Sequence, residues 1–543
     1  MPDSTDLNPA MTPPAPRVVG ICGAAIAGPT LALHLLSHPV LRTLFRPVLF
    51  DRSPAPVPVP VQVTGDGTSS PSSPPTNHHH HHHHQRAGAS VALLPNGLHP
   101  LLTLGLGDAI RKHGYECGDL TFWSGPSSLD RDADAPLTHL KTMVNGFWSH
   151  DMQMGAMYFE RAGLQSLLVD RVRELGGEVR WSKRAVRFEH LASFRNTTEE
   201  KDGRLHGQTR VGFANGTHLD VDLLVGADGG YSTVRRHILN LRDPDTSERR
   251  WLPDHMGMTG IYGISFADKM SASHNPERPF SESHSVWLPQ GFLATGPCPG
   301  RMFRWDLILP EQTPPEPRPD SEEGSGAAPK DADYPPPDGE RTEEPWHAAI
   351  ASGQYPRSAT TAILRAHQRL RYPFAGDFKT MLESAHRIIH TPLRQRVWKE
   401  DEIRWSAPGS AGGGGDVVLL GDAARLMLPT SGQGTGFAIE DATVLASMLL
   451  KHCGPSAVGT GTAPGAGGEL RAAVEEYARL RVPRSEKMAT AASWVGSVGL
   501  GSTRFYRLLR HYAAKMSPEA DLKAKKTKDP WPMDARFDVD GAK

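Results

Sequence analysis

The sequence predicts a protein of the α/β class, in which a domain on a parallel sheet is interleaved with a smaller domain on a mostly antiparallel sheet, followed by C-terminal helices. Short apolar runs near residues 20, 225 and 420 each enter a glycine-containing turn and then a helical pattern. Between the last two, apolar strand-like segments are separated by Pro and Gly. The last 75 residues read mainly as helix.

The first apolar run, Arg17 to Cys22, predicts a buried strand followed by a glycine turn and a helix. The turn has the G-x-G-x-x-G spacing from Gly23 to Gly28, with Ala25 in place of the second glycine. This spacing is typical of dinucleotide binding, where the second glycine lets the backbone approach a pyrophosphate. A second predicted strand ends at Asp51, which we expect to accept hydrogen bonds from ribose hydroxyls. A lone fingerprint of this kind is a weak signal.

The second run, Leu223 to Gly226, leads into Ala227-Asp228-Gly229 and a helix that contains Arg235. A hairpin is predicted before it, from Thr209 to Ala214 and from Thr217 to Asp222, because Asn-Gly dipeptides such as Asn215-Gly216 favour a type I′ turn. A polar turn after a core strand is the alternative.

The third run, Val417 to Leu420, predicts a buried strand with Asp422 at its carboxyl end. Gly432, Gly434 and Gly436 then lead into a helix that we expect to begin near Phe437. Ligands of open α/β sheets bind at the carboxyl ends of strands, so this turn is a candidate cofactor loop.

Together and in this order, the three segments resemble the conserved motifs of FAD-dependent monooxygenases of the aromatic-hydroxylase type, the group A enzymes similar to p-hydroxybenzoate and salicylate hydroxylases. The resemblance implies a Rossmann-like FAD-binding domain interleaved with a smaller substrate domain. The segment from Tyr158 to Leu168 resembles the family segment whose arginine reaches the FAD phosphates. The residues that inherit cofactor contacts are Gly23, Ala25, Gly28, Asp51, Arg161, Asp228, Gly229, Asp422, Gly434, Thr435 and Gly436.

The resemblance also assigns a catalytic environment at the flavin ring to Pro429, Gly434, Thr435 and Gly436. It implies that NADH or NADPH reduces FAD, that O2 reacts at flavin C4a to give a hydroperoxide, and that one oxygen atom enters a small aromatic, polyketide or terpenoid-like substrate. Because FAD carries this chemistry, no protein nucleophile or metal is expected. Arg425 stands where the family has histidine. The alternatives are an FAD-dependent reductase or dehydrogenase of the same fold and a non-catalytic flavin-binding protein.

Composition fits a cytoplasmic enzyme with a small-molecule substrate. The chain has 543 residues, 38% of them hydrophobic, and a formal net charge of −1, which argues against a nucleic-acid partner. No long apolar run or secretory signal is evident, so membrane association is not expected. The four cysteines show no spacing typical of disulfides or zinc. The oligomeric state stays open.

The predicted organisation follows the composition of each segment. We expect a disordered N-terminus at 1–16, the FAD-binding domain at 17–254 with a disordered insertion at 53–85, the substrate domain at 255–400 with a disordered insertion at 310–345, the GD-motif part of the FAD-binding domain at 401–453, a Gly-rich linker at 454–468, and C-terminal helices with a tail at 469–543.

Several further patterns carry two interpretations. His386 and His390 at i, i+4 predict one helix face, which is either solvated or, much less favoured, a metal pair. Seven histidines at 78–84 have no companion that would fix a metal geometry. Near the C-terminus, basic and apolar residues from Arg504 to Tyr512 oppose each other on a helix, which either lies on a membrane surface or packs on the FAD-binding domain. Candidates for pocket wall or plain core are Met258, Tyr262, Phe292 and Trp305.

Overall fold

The structure is a computed structural model. It describes residues 15–56, 90–128, 134–144, 147–149, 152–191, 208–267, 282–315, 344–351, 353–373, 375–407, 415–455 and 468–516. Most of the two predicted insertions, the seven-histidine run, most of the Gly-rich linker and the C-terminal tail lie outside the described residues.

The described residues form strands and helices that alternate through the chain. The strands are β1 Arg17–Cys22, β2 Phe45–Phe50, β3 Ser90–Leu93, β4 Tyr115–Glu116, β5 Leu120–Ser124, β6 Thr138–Met143, β7 Met157–Glu160, β8 Glu178–Arg180, β9 Ala185–Leu191, β10 Gln208–Phe213, β11 His218–Val221, β12 Leu223–Gly226, β13 Asp254–Phe266, β14 Ser283–Trp287, β15 Phe292–Cys298, β16 Met302–Pro310, β17 Arg371–Tyr372, β18 Gly376–Asp377, β19 Ala385–Val397, β20 Arg404–Trp405, β21 Asp416–Leu419 and β22 Arg425–Leu426.

The helices flank these strands. They are α1 Ala27–Ser37, α2 Leu41–Leu44, α3 Pro95–Thr103, α4 Gly107–His113, α5 Arg161–Glu174, α6 Thr233–Arg242, α7 Ser247–Trp251, α8 Arg357–His367, α9 Phe378–Glu383, α10 Gly434–Cys453, α11 Gly468–Leu500 and α12 Arg504–Met516, with 3-10 helices at His347–Ala349, Gly421–Ala423 and Pro429–Ser431.

A six-stranded sheet, here called the floor sheet, carries the three glycine turns. Its order is β20-β21-β12-β1-β2-β8, with β20 antiparallel at one edge and the other pairs parallel. Strand β1 lies near the middle, where Gly20 pairs with Leu224 on one side and Val48 on the other. Because β1, β12 and β21 run in the same direction, the turns after Cys22, Gly226 and Leu419 meet at one edge of the sheet.

An eight-stranded sheet, here called the roof sheet, forms the second unit. Its order is β22-β19-β13-β16-β15-β14-β5-β6, and β13, β14, β15, β16 and β19 pair antiparallel wherever they are neighbours among themselves. On β16 the side chains alternate between its two faces. Phe303, Trp305 and Leu307 enter a core that also contains Phe378, whereas the alternate positions contribute to a cavity.

The structure confirms the predicted α/β class, the parallel and antiparallel sheets and the C-terminal helices. Strand β1 has the predicted bounds, and β2 and β21 are each displaced by one residue from the prediction. Helix α10 begins at Gly434, three residues before the predicted start at Phe437. The glycine turn thus merges directly into the helix.

Two local predictions are wrong. The Asn215-Gly216 hairpin has no type I′ turn, because only Gly216 has a positive φ of 80°, and Phe213 N donates to Thr217 O over 2.9 Å. His386 and His390 lie on strand β19 and not on a helix. His390 is buried and stacks on Tyr355 with ring centroids 3.6 Å apart. Among the residues in the described ranges, no cluster of His, Cys, Asp or Glu has the arrangement of a metal site.

The C-terminal helix α12 packs against α11 and against β6 of the roof sheet. Arg510 is buried and donates to Gly499 O over 3.1 Å, while Phe505 and Leu508 are exposed. No helix within the described part of the chain is both long enough and apolar enough to cross a membrane.

Candidate cofactor and substrate site

A cavity of about 1650 Å³ separates the turn-bearing edge of the floor sheet from the roof sheet. Both sheets and helices α1, α5, α10 and α11 contribute to its wall. Of the predicted site residues, those that line it are Gly23, Ala25, Asp51, Arg161, Asp228, Gly229, Asp422, Pro429, Gly434 and Thr435. Gly28 and Gly436 lie behind this wall, where each allows a close approach of backbone or side chain.

The first turn holds its shape through backbone contacts. Gly23 has a φ of 109°, a conformation that side chains strongly disfavour, and its N–H donates to Phe50 O over 2.8 Å. A Cβ on Gly28 would lie 2.0 Å from Gly23 O, so only glycine lets α1 pack this closely on the turn. Ala24 N donates to Asp51 Oδ2 over 2.8 Å, and Gln165 Nε2 donates to Ala24 O over 2.7 Å.

Ala25 fits this turn without a left-handed backbone, because its φ is not positive. It lines the cavity immediately before the N-terminus of α1. No side chain caps that terminus, since the N-cap residue Ile26 has no polar side-chain atom. Uncapped N–H groups and the positive end of the helix dipole favour an anion here, as a pyrophosphate would provide.

The charged side chains of Asp51, Arg161 and Asp422 line the same end of the cavity. Asp51 also accepts from Ser53 N over 2.8 Å. Burial lowers the pKa of Arg161, and the nearby carboxylates of Asp422 and Asp51 oppose that shift. Asp422 is open to the cavity, yet the surrounding protein raises its pKa, against the opposing charges of Arg161 and Arg425. Asp51, Arg161 and Asp422 thus form an alternating arrangement of charge.

Asp228 reaches the cavity wall but uses its carboxylate within its own turn. It accepts from Ser232 Oγ at 2.5 Å, Thr233 N at 2.7 Å and Thr233 Oγ1 at 2.9 Å. The carboxylate therefore caps the N-terminus of α6 and fixes the turn. The following Gly229 lines the cavity with open space beside its Cα.

Arg235 joins the second and third turns from behind. It is fully buried and donates to Ala423 O over 2.8 Å and to Gly230 O over 2.5 Å. Its guanidinium lies 3.6 Å from the ring centroid of Trp398, and burial lowers its pKa to about 9. Arg235 thus holds the two turns together through their backbone carbonyls and does not itself line the cavity.

The third turn presents a second uncapped helix terminus. The 3-10 helix Pro429–Ser431 and the first residues of α10, Gly434 and Thr435, line the cavity, and no side chain caps α10. Gly436 instead faces helix α3, because a Cβ there would lie 2.9 Å from Asn96 Nδ2. The structure therefore gives Gly436 a packing position, whereas sequence reasoning placed it at the flavin.

A buried charge cluster supports α10, and sequence reasoning did not find it. Asp441 accepts from Gly421 N over 2.8 Å and Arg481 Nε over 2.6 Å, and it also pairs with Arg425. Next to it, Glu440 accepts from Arg484 Nε over 2.9 Å. The Arg425 departure from the family histidine thus has a structural explanation, since this arginine is paired away from the cavity. The adjacent acidic residues Glu440 and Asp441 on α10 were the sequence signal from which this cluster could have been predicted.

The roof contributes a second set of polar side chains that sequence reasoning missed. Arg304 and Asp306, two positions apart on β16, both line the cavity, with Arg304 Nη1 3.1 Å from Asp306 Oδ2. Of the candidates for pocket wall or plain core, Tyr262 and Phe292 line the cavity. Trp305 lies on the opposite face of β16 and is fully buried in the roof core.

These features suit FAD. A Rossmann-like turn with an uncapped helix lies next to the carboxylate of Asp51, and a second uncapped helix at Gly434 lies along the same cavity. The volume of about 1650 Å³ accommodates a dinucleotide together with a small ligand. The residues present therefore fit the cofactor.

Comparisons with known proteins agree with this site. The family described as FAD binding domain matches residues 412–464, which contain the third turn. The site and this match indicate an FAD-binding enzyme, and the chain is similar to FAD-dependent monooxygenases of the aromatic-hydroxylase type. It is 26% identical over 498 residues to a salicylate hydroxylase of Pseudomonas putida, covering 87% of this chain and 84% of that protein. It is 24% identical over 405 residues to 3-hydroxybenzoate 6-hydroxylase 1 of Aquipseudomonas alcaligenes, covering 74% and 77%.

Solved structures show the same fold. Klebsiella pneumoniae HpxO complexed with FAD and uric acid superposes with a TM-score of 0.56 at 16% identity, covering 92% of each chain. Pseudomonas aeruginosa PqsL in complex with 2-aminobenzoylacetate superposes with a TM-score of 0.54 at 18% identity, covering 91% of this chain and 99% of that one.

Proposed function

We propose that this enzyme uses NADH or NADPH to insert one oxygen atom from O2 into a small ring compound. The observation that carries the proposal is a cavity that places two uncapped helix termini on one side and the roof sheet, with apolar and polar side chains, on the other. The relatives named as hydroxylases of salicylate and 3-hydroxybenzoate support a ring substrate.

At the nucleotide end, the chain supplies binding and no chemistry. The N-terminus of α1 receives the pyrophosphate, and Ala25 leaves the backbone accessible with only one added methyl group. Asp51, already oriented by Ala24 N and Ser53 N, accepts ribose hydroxyls through its remaining lone pairs. Arg161 adds positive charge beside the phosphates.

At the ring end, the chain supplies oriented dipoles and excludes water. When bound, FAD supplies hydride acceptance and oxygen activation. The first N–H groups of α10, at Gly434 and Thr435, would hold the flavin ring and stabilise negative charge on it without reorganising. Pro429 forms the wall next to them. Roof residues such as Phe292 and Ile308 keep the reacting region apolar.

The proposal is tested with purified protein. We expect bound FAD, oxidation of NADH or NADPH that accelerates with substrate, and a product 16 mass units heavier than the substrate, or 18 mass units heavier when the reaction runs under ¹⁸O2. Reduction of FAD with a reduced product and no incorporated label would instead identify a reductase. Bound FAD with slow reduction under all nicotinamide conditions would also contradict the proposal.

A further inference from the structure

The roof side of the cavity contains an ion pair that faces the substrate space. Arg304 and Asp306 lie on the same face of β16, with 21% and 15% of their side chains exposed. Both line the cavity. Since a strand places residues i and i+2 on one face, the pair is presented as one unit with little net charge.

The surrounding side chains hold this pair in place. The guanidinium of Arg304 lies 5.0 Å from the ring centroid of Tyr158, whose hydroxyl is 3.2 Å from Ser283 Oγ. Gly296 on β15 leaves the necessary room, because a Cβ there would lie 3.1 Å from Arg304 Nε and 2.9 Å from Tyr158 Cε1. The arginine therefore has a fixed position between an aromatic face and a carboxylate.

Charge distinguishes this arrangement from a carboxylate receptor. An unpaired guanidinium binds a carboxylate through two parallel hydrogen bonds, whereas here Asp306 already neutralises it and would repel a second carboxylate. Arg394 also lines the cavity, but it donates to the backbone carbonyls of Pro253 and Pro315 at 3.3 and 3.5 Å. The roof therefore offers a donor next to an acceptor, with their charges balanced.

We infer that the Arg304–Asp306 pair selects neutral ring compounds with a hydrogen-bond acceptor and a donor side by side, such as hydroxyamides or lactams, over ring carboxylates. Arg304 donates to the carbonyl of such a ligand, and Asp306 accepts from its N–H or O–H. This inference rests on the proposed function, of which it specifies the substrate class.

The test compares matched probes in binding, independently of turnover. Salicylamide and 3-hydroxybenzamide are titrated against salicylate and 3-hydroxybenzoate by calorimetry on the FAD-bound enzyme. We expect the wild-type chain to bind at least one amide about 10-fold more tightly than its carboxylate counterpart, because like charges brought together in a dry site are strongly disfavoured. A preference for the carboxylates, or binding of none of the four probes, overturns the inference.

Two variants move the preference in opposite directions. Asp306→Asn frees the guanidinium and should shift the amide-to-carboxylate ratio at least about 10-fold towards carboxylates. Arg304→Gln leaves Asp306 unpaired and should shift the ratio further towards the amides. The control, Asp220→Asn, breaks the Arg210 pair on the hairpin outside the cavity and should leave the ratio unchanged.

The readouts separate the two proposals. If both roof variants retain FAD and near-ultraviolet circular dichroism but the ratio does not move, the inference fails. If the ratio moves as expected while no oxygen is incorporated into any product, the proposed function fails and the ligand preference stands. Should one roof variant not fold, the other still decides the sign of the shift.

Discussion

The floor and roof of the cavity use different chemistry. The floor binds mainly through backbone, with glycine turns and two uncapped helix termini brought together by parallel strands. The roof acts through side chains from strands far apart in sequence, such as Tyr158 on β7 and Arg304 on β16. We therefore expect cofactor affinity to depend mainly on backbone geometry, and ligand preference to depend on a few replaceable side chains.

The largest effect on the free energy of unfolding should come from the buried charge cluster around Asp441, next to the floor sheet. Asp441→Ala leaves Arg425 and Arg481 buried without this carboxylate, which should lower the free energy of unfolding by about 3–5 kcal/mol. Urea unfolding measures the change. The control is Asp401→Ala, whose carboxylate is exposed and 3.8 Å from Arg242, and which should cost less than about 1 kcal/mol. Equal losses in both variants would show that the cluster does not support the floor.

The next prediction concerns the backbone of the first turn. In Gly28→Ala the new methyl group would meet Gly23 O, displace α1 and weaken FAD binding at least about 10-fold. Ala25→Gly is the matched change, and it should leave FAD affinity equal or slightly higher. FAD affinity is measured by fluorescence titration of the apoprotein. Unchanged affinity in Gly28→Ala would contradict the idea that backbone geometry controls the floor.

A variant of a floor side chain complements the roof variants, because it should change FAD affinity and leave the preference for ring probes unchanged. Asp422→Asn removes a charge that lies next to Arg161, and we expect FAD to bind about 10-fold more weakly, as for a lost charged hydrogen bond. The amide-to-carboxylate ratio of the ring probes should stay at its wild-type value. If the ratio changed as much as FAD affinity, floor and roof would not be functionally separate.

The smaller of the two predicted effects on the free energy of unfolding depends on pH. Asp416 on β21 is fully buried, and burial raises its pKa from 3.8 to about 6. Between pH 4 and 6 the folded carboxyl keeps a proton that the unfolded chain has lost, so its contribution to stability falls as pH rises through this window. Asp416→Asn should therefore be more stable than wild type by about 1–3 kcal/mol above pH 6, and the difference should shrink towards pH 4.

Urea unfolding at several pH values measures the Asp416 effect. Wild type and Asp416→Asn are compared at each pH, so that other titrating groups cancel. A difference that grows as the pH falls would have the wrong sign. His34→Gln serves as a control whose pH dependence has the opposite sign. Burial lowers the pKa of this histidine to about 4, so the wild-type residue lowers the free energy of unfolding only in acid.

The floor was predictable because its signals are local. A strand, a glycine spacing and a helix stand together in the sequence, so the residues around Gly23, Asp228 and Asp422 could be assigned before the structure was known. Two residues of the floor have contacts that local sequence signals do not predict. Gly436 proved to face Asn96, and the carboxylate of Asp228 caps α6, since neighbours from other segments determine which way each group points.

The roof was only partly predictable because its chemistry is not local. Strand-like segments in this region were recognised, but the sequence left Trp305 open between the pocket wall and the core, and only the structure shows that it lies in the core. Two charges at Arg304 and Asp306 within an apolar strand were the available signal. His390 shows the same limit, since its i, i+4 spacing with His386 suits a helix and also one face of the strand that tertiary pairing imposes.

The pairing register of strand β16 affects which substitutions this enzyme can tolerate. Its pairing with β13 places Asp306 opposite Tyr262 and Trp305 opposite Gly263. A shift by one residue would exchange the two faces, driving charge into the core and tryptophan into the cavity. As long as this register holds, substitutions at positions 304, 306 and 308 can change the substrate preference, in evolution or in laboratory selection. The hydrophobic core on the other face of β16 would stay intact.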